Sequence, residues 1–294
     1  MSDEGIPNMS ASRLPLAYST NGFTDRSLEE SLKLISDAGY AGVELLGDRP
    51  HWSLAQGGSL PPRALRALLN DLGLKVSNIN GNTAMFCWPE WMPETIFEPS
   101  LSHHEPRVRQ RRLDIAYALL DWAAELGAPR VSVTSGRCPG EVPPAEGLRY
   151  FAESLSTLCE RASSLDVQLS VEYEPGLLVE RWRELRAIID AVDHPALGAN
   201  LDLGHARCAG EDPLEAIRGL AGRIWNIHIE DILGQKHYHL IPGEGDMDLS
   251  GCLDELIKIG YSEMVTVELY TYAHAPNGGD LVAAQRAYQA LSQL

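Results

Sequence analysis

The chain has 294 residues, 44% hydrophobic and 22% charged, and its 41 acidic against 24 basic side chains leave a formal charge of −17. That is a globular composition, long enough to bury roughly three quarters of the unfolded surface without disulfide or metal staples. With no basic cluster to offset it, the negative balance opposes a nucleic-acid partner and favours a small molecule.

No apolar run approaches the roughly 18 residues needed to cross a bilayer, so no membrane partner is expected. The start lacks the basic and hydrophobic parts of a leader, which points to the cytoplasm. The cysteines Cys87, Cys138, Cys159, Cys208 and Cys252 are odd in number and never spaced CxxC, as suits a reducing compartment.

Residues 1–13 read as a loosely ordered extension of one domain spanning 1–294. LAYS from Leu16 is the first strand-like run. A helix follows, opened by Ser27 and Glu30 as a capping box, with Leu28, Leu32 and Ile35 on one face and Gly39 at its end. GVELL from Gly42 is the second strand and carries Glu44, with His51 and Trp52 just beyond. KVSNI from Lys75 is the third.

The long stretch from Gly81 to Pro106 carries Phe86, Trp88, Trp91 and Phe97 among prolines. It reads either as a lid over a ligand or as an oligomer contact. RVSVTS from Arg130 is the fourth strand and is followed by GRCPGEVPP. Then come VQLSVE from Val167, LGANLD from Leu197, IWNIHI from Ile224 and MVTVEL from Met264.

Eight strands alternating with helical segments match an α/β fold of the closed (β/α)8 TIM-barrel type. The alternative is an open doubly wound sheet, although neither GxGxxG nor GxxxxGK[ST] is present.

In a barrel, the carboxyl ends of the strands share one mouth. The fifth strand ends at Glu172, the sixth at Asp202, the seventh presents His228 and the eighth ends at Glu268. Separations of 30, 26 and 40 residues are each about one βα unit, so the four stand side by side.

Three carboxylates and an imidazole aimed at one space repel unless a divalent cation compensates them. That predicts one metal ion. Such oxygen-rich donors suit Mn²⁺ foremost, with Mg²⁺, Co²⁺ and Zn²⁺ as alternatives. Glu174 competes with Glu172 for the fifth-strand ligand position, but Pro175 suggests that the strand stops before it.

His205 in DLGH, Asp231 in HIED and His239 before Pro242–Gly245 (PGEG) add polar groups beside this set. Glu44 and Trp52 are further candidate substrate contacts. Arg137 and Arg207, in loops after the fourth and sixth strands, would either meet an anionic group or stay solvated.

The strand-five Glu, D-x-x-H, H-x-x-D, H-x-x-P-G-E-G and the final V-E together resemble the sugar isomerase and epimerase group of xylose-isomerase-like TIM barrels, which includes ketose 3-epimerases and inosose-processing enzymes. The likeness runs from about Leu16 to Leu291 and includes GYAGVEL at the second strand. It implies that Glu172, Asp202, His228 and Glu268 bind the metal, that Glu172 and Glu268 are also the acid and base, and that His205 holds a substrate oxygen.

The expected activity is isomerisation or epimerisation of a keto-sugar, sugar derivative or cyclitol through a metal-stabilised enolate. A lyase or dehydratase sharing that enolate is the alternative. An apurinic-site endonuclease, with His205, His237 and His239 on a further metal, is a more distant one. A homodimer is the default assembly.

Overall fold

The computed structural model describes residues 14–87, 95–137 and 140–294. In chain order the strands are β1 (Leu16–Ser19), β2 (Gly42–Leu46), β3 (Trp52–Ser53), β4 (Gly57–Gly58), β5 (Lys75–Asn80), β6 (Arg130–Thr134), β7 (Gln168–Glu172), β8 (Leu197–Asp202), β9 (Ile224–Ile229) and β10 (Val265–Val267). Strands β3 and β4 make a small antiparallel pair. The other eight close into a barrel of order β1-β10-β9-β8-β7-β6-β5-β2, every ladder parallel. These eight begin within a residue of the runs read from the sequence.

The helices are α1 (Leu28–Asp37), α2 (Pro62–Asp71), α3 (Pro106–Leu126), α4 (Pro144–Ser164), α5 (Trp182–Val192), α6 (Leu203–Cys208), α7 (Pro213–Gly219), α8 (Leu249–Lys258) and α9 (Gly279–Leu291). Ser27 caps α1 as its spacing predicts, its hydroxyl accepting from the Glu30 N–H at 3.2 Å. Gly127 ends α3 at φ 72°, a left-handed conformation that glycine adopts without strain.

The apolar core lies between barrel and helices. All five residues of β2 are buried, because a parallel strand is covered on both faces. Strand alternation sends Val43 and Leu45 outward to the helices and Glu44 inward. A Cβ on Gly81 would come within 2.6 Å of Leu119, so α3 presses directly on the end of β5.

Inside the barrel the filling is polar: the Ser77 and Thr266 hydroxyls meet at 3.0 Å across it, and Asn78, Asn200 and Asn226 are fully buried. Among the described residues no helix is long and apolar enough to cross a membrane. Trp88 and Trp91 of the long loop, residues 1–13 and Cys138 lie outside the described residues.

Candidate active site

At the carboxyl end of the barrel, Glu172 closes β7, Asp202 closes β8, His228 is the fifth residue of β9, and Glu268 follows β10 directly. One ligand atom from each lies within 4.8 Å of the others, all four buried, so the group could hold a metal ion.

Neighbours fix each member. Asp202 caps α6, its Oδ1 accepting from the His205 N–H at 2.7 Å, and its buried Oδ2 has no hydrogen-bond partner. Glu172 Oε2 accepts from the Asn82 side-chain amide at 2.7 Å and from the Asn200 amide. Glu268 Oε1 accepts from Asn21 at 2.7 Å and from Asn80 at 3.2 Å.

His228 Nε2 donates to Glu44 Oε2 at 2.7 Å. Its buried Nδ1 has no hydrogen-bond partner and points among Glu172, Glu268 and Asp202 oxygens at 3.4, 3.7 and 3.8 Å. A buried imidazole nitrogen and a buried carboxylate oxygen, 3.8 Å apart and neither hydrogen-bonded, fit a cation that would replace the imidazole proton.

Electrostatics agree. Burial pushes the Glu268 carboxyl up to about 8 against the pull of His228, and the Glu172, Glu44 and Asp202 carboxylates add to the rise. Burial opposes the charge of His205, yet Asp202, Glu174 and Glu172 hold it up to about 9. Asp202 overcomes its own burial through His205, His239 and His228 and falls to about 2. The site as it stands crowds negative charge that a divalent ion would relieve.

A cavity of about 320 Å³ opens above the set. Its lining includes polar Glu172, Glu268, Glu174, His205, Asn80 and Asn82 and apolar or aromatic Met85, Ile96, Phe97 and Tyr270. Thus Phe97 of the long loop reaches the cavity, whereas Phe86 packs edge-on against Trp52 at 5.7 Å between ring centres.

Other candidates fall in different places. His239 is buried beside the set, its Nδ1 donating to the Glu268 carbonyl oxygen at 2.8 Å. The His237 Nε2 is 3.1 Å from Nε2 of both His205 and His239, a second group that could hold a metal. Asp231 organises the PGEG turn instead of entering the cavity, accepting from Gly243 N at 2.9 Å and Met247 N at 3.1 Å.

Two expected substrate contacts lie elsewhere. Glu44 is wholly buried inside the barrel, accepting from Ser19, Asn78, Asn80 and Asn226 as well as His228. Its inward strand position puts it under the site, not in the cavity. Trp52 is 4% exposed and packs on Trp122 of α3 at 6.2 Å, because β3 folds back over the helix layer. Neither Arg137 nor Arg207 lines the cavity, and Arg207 pairs with Asp246 at 3.2 Å.

The asparagines were missed. Asn200 and Asn226 stand two residues before Asp202 and His228, so strand alternation already aimed them inward, and the NINGN run does the same for Asn78, Asn80 and Asn82. Glu230, two residues after His228, was missed too; it is fully buried, neither carboxyl oxygen is hydrogen-bonded, and Oε2 lies 3.9 Å from His239 Nδ1.

Residues 32–291 match the family model described as xylose isomerase-like TIM barrel. A fructoselysine 3-epimerase of Escherichia coli O157:H7 is 27% identical over 263 residues, covering 87% of this chain and 91% of that protein. A 3-dehydroshikimate dehydratase of Pseudomonas putida is 28% identical over 83% of this chain, which spans 36% of that longer protein. Among solved structures, that of the IOLI protein with a binding zinc atom superposes with a TM-score of 0.75 at 17% identity, over 95% of this chain and 99% of that one.

Proposed function

The chain belongs to the xylose isomerase-like TIM-barrel family, and from that premise we propose that it is a metal-dependent isomerase or epimerase of a keto-sugar, sugar derivative or cyclitol, working by proton transfer at the carbon beside a carbonyl. The observation that carries this reading is the convergence of Glu172, Asp202, His228 and Glu268, with two unpaired buried donor atoms, under a cavity sized for a small molecule. The similarity to a sugar epimerase over most of both chains supports it.

In this reading the four residues hold one divalent ion, Mn²⁺ foremost. When bound, such an ion polarises the substrate carbonyl and so acidifies the neighbouring C–H. The chain's own residues do the rest. Glu172 and Glu268 are each fixed through one oxygen by asparagine amides, which leaves the second oxygen of each to take or return a proton.

Their places on β7 and after β10 suit opposite faces of a bound substrate, the arrangement that inverts a carbon. His205 donates Nδ1–H to the Tyr173 carbonyl oxygen at 3.0 Å, so that Nε2, 3.1 Å from His237 Nε2, is the nitrogen left to meet a substrate oxygen. Met85, Ile96 and Phe97 exclude water from the opposite side.

The dehydratase relative favours a second reading in which the same proton removal is followed by loss of water. Incubating the metal-loaded protein with keto-sugars in D₂O tests both. Carbon-bound deuterium with unchanged mass otherwise marks the isomerase or epimerase, an unsaturated product marks the dehydratase, and no exchange with any keto compound overturns the proposal.

A further inference from the structure

We propose that this cavity takes a keto-sugar bearing neither phosphate nor carboxylate, uncharged or carrying an amine, and that Glu174 is the residue that enforces the choice. The inference deepens the proposed function and rests on it.

The cavity is acidic on one side. Glu172 and Glu268 form its floor, and Glu174 stands on the wall two residues beyond Glu172. Three carboxylates around a divalent ion leave one net negative charge, His205 adds at most one positive charge, and Glu174 supplies a fourth carboxyl group. Among the described residues no lysine or arginine lines the cavity.

Residues 88–94 (WPEWMPE) and 138–139 (CP) contain no lysine or arginine, and within 1–13 the one such residue is Arg13.

The imidazoles present are already matched. His205 Nδ1 is 3.5 Å from Glu172 Oε1, and His274 Nδ1 lies 2.8 Å from Asp25 Oδ2. A phosphate entering here would lose water and gain carboxylate neighbours, whereas hydroxyls or an ammonium would find acceptors. The facing wall of Met85, Ile96 and Phe97 suits C–H surface.

The test follows deuterium uptake at carbon by the manganese-loaded protein with D-fructose, its 1-amino-1-deoxy derivative and its 6-phosphate. Alongside it, calorimetry measures binding of D-glucitol and D-glucitol 6-phosphate, which have no carbonyl to react. Exchange should favour the two non-anionic ketoses by about 100-fold in kcat/KM, and glucitol should bind at least about tenfold tighter than its phosphate.

Glu174→Arg, checked for metal content, should shrink the phosphate disadvantage about tenfold through KM, with Glu174→Gln intermediate. A phosphate ester used or bound as well as its neutral partner overturns the inference, as does failure of either glucitol to bind. If no ketose exchanges while glucitol keeps its advantage, the proposed function fails and the charge preference stands.

Discussion

His228 can offer the cluster only Nδ1, because its Nε2 proton is committed to Glu44 at 2.7 Å. That hydrogen bond fixes the tautomer and ring plane, and Glu44 is itself held by four further side chains. Glu44→Gln should therefore keep the fold and weaken divalent-metal affinity by about 10–100-fold, as carboxylate partners of ligating histidines do. Competition with a metallochromic chelator measures it, and an unchanged affinity would remove Glu44 from the assembly.

His205 should behave differently: His205→Ala is expected to cost turnover or KM about tenfold or more while metal content stays at one ion per chain. A second stoichiometric zinc that vanishes with His205, His237 or His239 would contradict this and favour the endonuclease-like alternative. The DLGH and strand-end residues were legible because one residue type at one strand position suffices to suggest them. Glu44 was visible as an inward acid, but its partner lies 184 positions away, and no local spacing encodes that pairing.

At the scale of elements, the loop after β5 is anchored by a buried cation. Arg112 of α3, 1% exposed, donates to the carbonyl oxygens of Gly81, Asn82 and Thr83 at 2.5, 2.8 and 3.1 Å. Asp48 secures the next residues, accepting from Met85 N at 2.6 Å and Phe86 N at 3.0 Å. This loop carries Asn82, which holds Glu172, and the cavity-lining Thr83 and Met85.

Arg112→Met leaves three carbonyls without that donor and should cost about 2–4 kcal/mol of stability, read by denaturant unfolding. A loss below about 0.5 kcal/mol would show that water replaces the guanidinium.

The signal for Arg112 exists in the sequence, since it shares a helical stripe with Ile115, Ala116, Leu119 and Ala123, all buried. It was hidden among the neighbouring Arg107, Arg109 and Arg111 of RVRQRR. The alternating elements were legible because parallel strands buried on both faces give short β-branched runs between glycine-ended helices. Trp52 was misread because sequence order places it after β2, whereas tertiary packing takes β3 onto α3.

Buried carboxylates gather at one mouth of the barrel, and that has a measurable consequence. In the metal-free protein, Glu268 and His205 titrate at about 8 and about 9, above their unfolded values. Groups with raised folded pKa contribute stability that is complete below the unfolded pKa and lost as pH rises to the folded one.

From pH 6.5 to 8 both losses act together and that of His205 continues to pH 9, while His239, pushed down to about 3 chiefly by burial, is neutral in the folded state throughout. The metal-free chain should lose on the order of 5 kcal/mol across that window, and added Mn²⁺ should oppose the loss because ligation requires Glu268 deprotonated. Thermal unfolding with and without chelator checks this; a metal-free protein equally stable at both ends would contradict the electrostatic account.

The central claim is that Glu172 and Glu268 move protons at a carbon beside a carbonyl. The most direct measurement is solvent-deuterium exchange into a keto-sugar turned over by the native protein, repeated with Glu172→Gln and Glu268→Gln at verified metal occupancy. Each variant should lose interconversion by about 10³-fold or more, while the glutamate left intact still exchanges the proton of the epimer it serves. Near-native interconversion in both variants with metal still bound would contradict the account and reduce the two glutamates to ligands.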